Sequence, residues 1–142
     1  MNYWLIKSPF RTRSWQDVLV KGVFKLYGIR NHQAKNNIAK MKKGDLALYY
    51  HSPSSKSIYG VMKVSTSPYK DTTTNSDIWL SIDFEPINTF EQPITLHQIK
   101  ADGELRNIGL IKQPRVMVSP LTKEEFEDIV EIEIVEGKGK SS

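Results

Sequence analysis

The stretch that most constrains the fold is residues 78–86, Ile-Trp-Leu-Ser-Ile-Asp-Phe-Glu-Pro. Apolar and polar side chains alternate there with a period of two, the mark of a strand with one face on a core. Ile78, Leu80, Ile82 and Phe84 share the apolar face, and Trp79, Ser81, Asp83 and Glu85 share the other. The chain must therefore build a sheet with at least one covering layer. Trp79 stands on the polar side of it. Either the indole is exposed as a stacking platform, or a loop or helix covers it in a second small core, because a buried indole is strongly stabilising.

The rest of the chain supplies partners for that strand. Residues 3–7, 46–51, 58–65 and 116–119 read as further strands. On 46–51, Leu46, Leu48 and Tyr50 share one face and Ala47, Tyr49 and His51 the other. Ser14 with Asp17, Thr95 with Gln98, and Thr122 with Glu125 are capping-box pairs, so helices start after 14, 95 and 122. Asn31 caps a helix over 32–42 that Gly44 ends, with Ala34, Ile38 and Met41 as its apolar stripe. Residues 22–30, 52–57 and 68–77 read as loops, with a short turn at 104–107. Residues 130–135 suit an edge strand or a continued helix equally. Short strands with interspersed helices predict an α+β fold, a small mixed sheet curled into a barrel. The expectation is one domain over 1–135 and a disordered tail over 136–142.

Charge is unevenly placed. Residues 1–50 carry 10 Lys/Arg against 2 Asp/Glu, whereas residues 121–136 carry 1 Lys against 7 Asp/Glu. A basic N-terminal part suits an anionic partner, and a solvated surface of mixed charge is the plainer reading. Lys35, Lys40, Lys42 and Lys43 are candidate phosphate contacts or simply a solvated face. Arg30 precedes the helix start at Asn31, where backbone N–H groups favour anions, so it contacts a phosphate or pairs with a carboxylate. Asn37 lies beside the apolar stripe; buried, its amide needs partners, and otherwise it can meet a ligand edge. His51 ends its strand next to aromatics, where it is structural, exposed, or poised against a base.

Several chemistries are absent. The sequence has 0 cysteines, which removes disulfides, thiolate metal sites and a cysteine nucleophile. The 3 histidines, at positions 32, 51 and 97, lack metal-ligand spacing. No common catalytic motif occurs, and the tail Gly137-Lys138-Gly139-Lys140-Ser141 lacks the first glycine of a phosphate loop. No cofactor or metal is expected. The polar opening residues are not an export signal and no run is apolar enough to cross a membrane, so the expected setting is cytosolic or nuclear, with a monomer favoured.

Taken in order, the motifs resemble those of the EVE domain family over about 3–130. Tyr3-Trp4-Leu5-Ile6-Lys7-Ser8 resembles its Y-W-L-x-K-S, and Gly28-Ile29-Arg30-Asn31-His32-Gln33-Ala34-Lys35-Asn36 its G-V-R-N-Y-Q-A-R-N. Met41-Lys42-Lys43-Gly44-Asp45 and Tyr49-Tyr50-His51-Ser52 resemble M-K-x-G-D and F-Y-H-S. Trp79 with Ile82-Asp83, Leu96 to Lys100, and Gln113, Arg115 and Ser119-Pro120-Leu121-Thr122 complete the set. The resemblance implies a PUA-like β-barrel flanked by short helices, related to YTH domains. It implies binding of RNA or DNA, with a modified base taken into a pocket, and no catalysis. By position, the implied pocket residues are Lys7, Ser8, Arg30, Asn31, Asn37, Tyr50, His51, Ser52, Trp79 and Arg115. Three departures stand out: Pro9-Phe10 replaces an acidic continuation after Lys7-Ser8, His32 replaces a tyrosine, and Leu26-Tyr27-Gly28 replaces W-D-G.

The leading expectation is a reader in which Trp79 and Tyr49 or Tyr50 stack on a base while Asn31, Ser8 and His51 meet its edge. Two alternatives belong to other classes. One is an enzyme acting on nucleotides or modified bases with His51 as acid/base. The other is a protein-interaction module using the acidic 121–136 segment and the basic half.

Overall fold

The structure is a computed structural model that describes residues 1–141, and side chains as far as residue 132. The elements run β1 (Tyr3–Lys7), α1 (Trp15–Lys21), β2 (Phe24–Leu26), α2 (His32–Lys40), β3 (Leu46–His51), β4 (Ser57–Val64), β5 (Tyr69–Lys70) and β6 (Leu80–Thr95). They continue with α3 (Leu96–Ala101), a 3-10 turn (Gly103–Leu105), α4 (Gly109–Lys112), β7 (Val118–Leu121) and α5 (Lys123–Ser141). Among the described residues, the sheet has the order β2-β6-β4-β3-β1-β7, with β5 pairing β6. β1 lies parallel to β3 and antiparallel to β7, so the sheet is mixed. It curls into a partial barrel with short helices around it, the expected α+β architecture.

β3 shows why the sheet needs cover on both sides. Ala47 and Tyr49 pack into one core with Phe24, Ile38, Ile82 and Phe84, next to α1 and α2. Leu48 and Tyr50 pack into another with Ile94, Ile99, Leu105 and Ile129, next to α3 and α5. Each large apolar side chain sealed in this way contributes about 1.5–3 kcal/mol. The alternation along 46–51 is thus real, but both faces are interior. Trp15 anchors α1 by lying over Gly60, where an added Cβ would come within 2.5 Å of the indole. Its Nε1 donates to Thr89 Oγ1 at 3.0 Å.

The capping boxes at Ser14 and Thr95 form as expected, and Thr122 accepts Glu125 N–H at 3.0 Å. Ala34, Ile38 and Met41 are all buried, although α2 stops at Lys40, before Gly44. The structure departs from expectation elsewhere. β2 forms inside the expected loop 22–30, and β5 inside the expected loop 68–77. β6 begins only at Leu80, leaving Ile78 half exposed, and continues through Pro86 and Pro93 to Thr95. β7 starts two residues later than expected, at Val118. Residues 130–135 continue a helix. The expected tail at 136–142 lies outside the residues whose side chains are described.

Candidate nucleic-acid interface

The N-terminus of α2 is the centre of the site. Asn31 is extended, at φ −100° and ψ 127°, and its side chain accepts Ala34 N–H at 2.9 Å. Just before it, Arg30 donates from Nη1 to Asp71 Oδ2 and from Nη2 to Thr73 Oγ1, each at 3.0 Å. Asp71 is wholly buried. It also accepts Gly28 N–H at 2.8 Å, Thr73 N–H at 2.8 Å and the Thr73 hydroxyl at 2.6 Å. Burial by itself pushes the Asp71 carboxyl up, but the donors from Thr73, Gly28 and Arg30 outweigh it and hold the group at about 2. The Asp71 backbone N–H donates to Trp79 O at 3.0 Å. Residues 71–79 therefore form a loop tied at its base.

That tie sets the indole. The Trp79 ring centroid is 4.9 Å from the His32 ring, tilted by 40°, and Arg30 Cζ is 5.7 Å from the Trp79 ring. Trp79 is half-buried, the Arg30 side chain is 40% exposed, and Asn31 and His32 are exposed. An aromatic plate, a guanidinium and a helix N-terminus thus share one accessible corner. Such a corner attracts a flat heterocycle and an anion together. Of the two readings of Arg30, the pair with a carboxylate is the one observed, and the guanidinium also lies beside the aromatic plate.

Next to this corner, the segment before β7 is tied to α2 and β1. Gln33 Nε2 donates to Gln113 Oε1 at 2.6 Å, Lys7 Nζ donates to Pro114 O, and Asn37 Nδ2 donates to Val118 O at 2.9 Å. Arg115 sits exposed in that segment. Asn37 is buried and serves the backbone, which corrects its expected role at a ligand edge.

The other expected pocket residues fall elsewhere. Tyr50 is 2% exposed and Tyr49 is 0% exposed, so neither ring face is open for stacking. Burial pushes the Tyr49 phenol up to about 12, against smaller lowering effects of Ser8 and Arg13, and its hydroxyl donates to Arg13 O. His51 is 1% exposed. Its Nε2 lies 3.0 Å from Phe10 O and donates to it, and Nδ1 is hydrogen-bonded to the Ser54 hydroxyl at 2.7 Å. A histidine sealed in and satisfied at both nitrogens is a tie between β3 and the 8–13 loop, and this removes it as an exposed acid/base. Ser8 is buried and accepts Phe10 N–H at 3.3 Å, while Ser52 is half-buried in the turn after β3. Lys35 lies one turn into α2, but Lys40, Lys42 and Lys43 sit at its other end, about 12 Å away. There Gly44 N–H reaches Val64 O, and Asp45 accepts Lys42 N–H at 3.0 Å.

Sequence reasoning missed Asp71, although Asp-Thr-Thr is an available signal for a turn in which the Asp carboxylate accepts the N–H two residues on. It also missed the cluster of Phe10, Arg13 and Tyr27. Arg13 Cζ lies 4.2 Å from the Phe10 ring centroid and 4.9 Å from that of Tyr27. Among the described residues, no group of His, Asp or Glu is arranged to hold a metal ion, and no helix is long and apolar enough to cross a membrane.

Comparison with known proteins places this geometry. The EVE domain family model matches residues 2–132. Rpa0253 from Rhodopseudomonas palustris has a solution structure that superposes with a TM-score of 0.88 at 33% identity, covering 95% of this chain and 94% of that one. The crystal structure of human THYN1 in complex with 5-methylcytosine-containing DNA superposes with a TM-score of 0.84 at 25% identity, covering 94% and 98%. The YTH domain of Zygosaccharomyces rouxii MRB1 shares the fold at a TM-score of 0.59 and 11% identity, covering 93% and 86%. A family model spanning nearly the whole chain, with full-length structural matches at these identities, has one meaning: the protein belongs to the EVE domain family.

Proposed function

We propose that the protein reads nucleic acid by taking one base, in modified form, against Trp79, with the flanking phosphates on cations of the N-terminal half. The observation that carries this is the accessible indole between His32 and Arg30 at the start of α2. Stacking on such a ring contributes about 1–3 kcal/mol per base. Asn31 spends its side-chain oxygen on Ala34 and has its amide N–H groups to offer a base edge. Arg30 is already fixed in place by Asp71 and Thr73, so little of its side-chain freedom is lost when a ligand arrives. Lys35 lies one turn into α2, and Lys7 and Arg115 belong to or touch the segment that Gln113 ties to Gln33, so we assign the neighbouring phosphates to them. The human THYN1 complex, a relative with DNA containing 5-methylcytosine, supports the choice of ligand class. Removing a base from a duplex costs a few kcal/mol, so single strands bind best.

The test is a titration of short single-stranded DNA and RNA oligonucleotides, each with cytosine or 5-methylcytosine at its centre. The parent protein is expected to prefer one modified strand, and Trp79→Ala to lose about 10-fold or more of that affinity. Identical binding of modified and plain strands by both proteins would remove the base-reading role.

A further inference from the structure

A second recess lies along the free edge of β2. α1 and β2 enclose a groove of about 590 Å³, floored by Val18 and Phe24 and rimmed by Arg13, Lys21 and Lys25, with Asp17 as its one carboxylate. Asp17 is already occupied, since its Oδ2 accepts both the N–H and the hydroxyl of Ser14 at 3.0 Å. Arg13 is held rigidly: Nη1 donates to Lys25 O at 2.9 Å and Nη2 to Tyr27 OH at 2.6 Å. Lys21 and Lys25 are exposed, and among the described residues neither has an ion-pair partner. Lys63, Lys70 and Lys123, by contrast, are paired with Glu85, Asp77 and Glu127. The groove therefore carries a net positive charge, Arg13, Lys21 and Lys25 against the Asp17 carboxylate, over an apolar floor.

Its position gives it a purpose. Lys25 pairs with Asp83 across the β2–β6 ladder, and Trp79 precedes Asp83 by four residues. The groove and the indole are thus about 13 Å apart along the strand. The chain leaving β2 runs through Tyr27 and Gly28 to Arg30, so the Phe10–Arg13–Tyr27 stack lies between the two. A distance of this size corresponds to on the order of two to four nucleotides.

We propose that this groove is a backbone subsite, in which Arg13, Lys21 and Lys25 hold the phosphates of a single-stranded nucleic acid whose base sits at Trp79. The proposal rests on the reading of Trp79 given above and extends it from one base to a strand with a defined path. Charge complementarity admits an acidic protein segment as well. Continuity with the indole, along β6 and the chain from Tyr27 to Arg30, favours nucleic acid.

The experiment uses labelled single-stranded DNA of three and of twelve nucleotides, each with one 5-methylcytosine in the middle, so that the three-mer leaves a single nucleotide on either side of the indole and stops short of the groove. It compares the parent, Lys21→Gln/Lys25→Gln, and Lys40→Gln/Lys42→Gln, which removes the same charge at the far end of α2. The groove variant is expected to bind the twelve-mer about 20-fold more weakly at 0.1 M salt, with a log–log salt slope shallower by about 1.4. Its affinity for the three-mer should change by less than about twofold, and the α2 variant should stay within about threefold of the parent on both strands. Equal losses from the two variants, or no loss from the groove variant, overturn the proposal. So does displacement of the twelve-mer by a glutamate-rich peptide of equal charge as effectively as by unlabelled strand. A parent that depends on Lys21 and Lys25 yet binds plain and modified strands equally upholds the groove while the base-reading role fails. A parent with no affinity for either strand overturns both.

Discussion

His51 and Trp79 looked alike in the sequence, each an aromatic ring beside polar residues at the end of a strand, yet the fold treats them in opposite ways. His51 is sealed, with both ring nitrogens spent on Ser54 and Phe10. Trp79 is half open, against a cation and a helix start, and its backbone rather than its ring supplies the tie to Asp71. A ring whose polar atoms are all satisfied internally contributes to stability. A ring whose residue is tied through its backbone commits no ring atom to that tie.

The largest effect that can break this contrast is expected beneath the open corner. Asp71→Ala strips the acceptor from Gly28, Arg30 and Thr73 at once, and should lower stability by about 3 kcal/mol in urea unfolding. It should also weaken the preference for modified strands, since Arg30 beside the indole loses the carboxylate that fixes it. A stable Asp71→Ala protein with intact binding would show that the corner needs no base beneath it.

Acid should act on the same group. The Asp71 carboxyl is held at about 2, below its ordinary range, so its contribution is present above about pH 4 and disappears as pH falls through about 2. The loss, about 2 kcal/mol, is read as a fall in unfolding midpoint over that window and should be missing in Asp71→Asn. His51→Ala should cost about 2 kcal/mol through the lost tie to Phe10 and the cavity left, while oligonucleotide affinity stays within about threefold of the parent. If His51→Ala instead kept its stability and lost binding, the roles of the two rings would be reversed. Trp79→Ala should cost about 2 kcal/mol by thermal unfolding, from the packing of its half-buried ring, against a larger effect on binding. Tyr49→Phe removes only the hydroxyl that reaches Arg13 O and should cost about 1 kcal/mol.

Much of the frame was legible because it is written in local patterns. The capping pairs at Ser14, Thr95 and Thr122, the cap at Asn31, the stripe Ala34-Ile38-Met41 and the alternation on β3 all depend on residues a few positions apart. The features that escaped depend on distant ones. Asp71 meets Gly28 and Arg30 across separations of 43 and 41 residues, and His51 meets Phe10 across 41. The run Asp71-Thr72-Thr73 signals the local turn, but nothing in it announces that the carboxylate is buried against Gly28 and Arg30. β2 is three residues long, and its Phe-Lys-Leu alternation is too short to stand out from a loop. Pro86 hid the length of β6, because proline normally ends a strand; here it sits where the β4–β6 register shifts, and a missing N–H is tolerated at such a bulge. The alternation reads Trp79 as part of the strand, on its polar face; it precedes β6 instead and lies half-buried against His32 and Arg30.

The loop over 71–79 has a practical use beyond the recognition proposed for Trp79. Because it is fastened where it leaves and rejoins the sheet, its tip at Asn75 and Ser76 is exposed and bears none of the bonds that seat the indole. The chain has 0 cysteines. Asn75→Cys would therefore create a unique chemical handle a few residues from the ring, where an attached dye can report on ligand arrival without touching the surface that receives it.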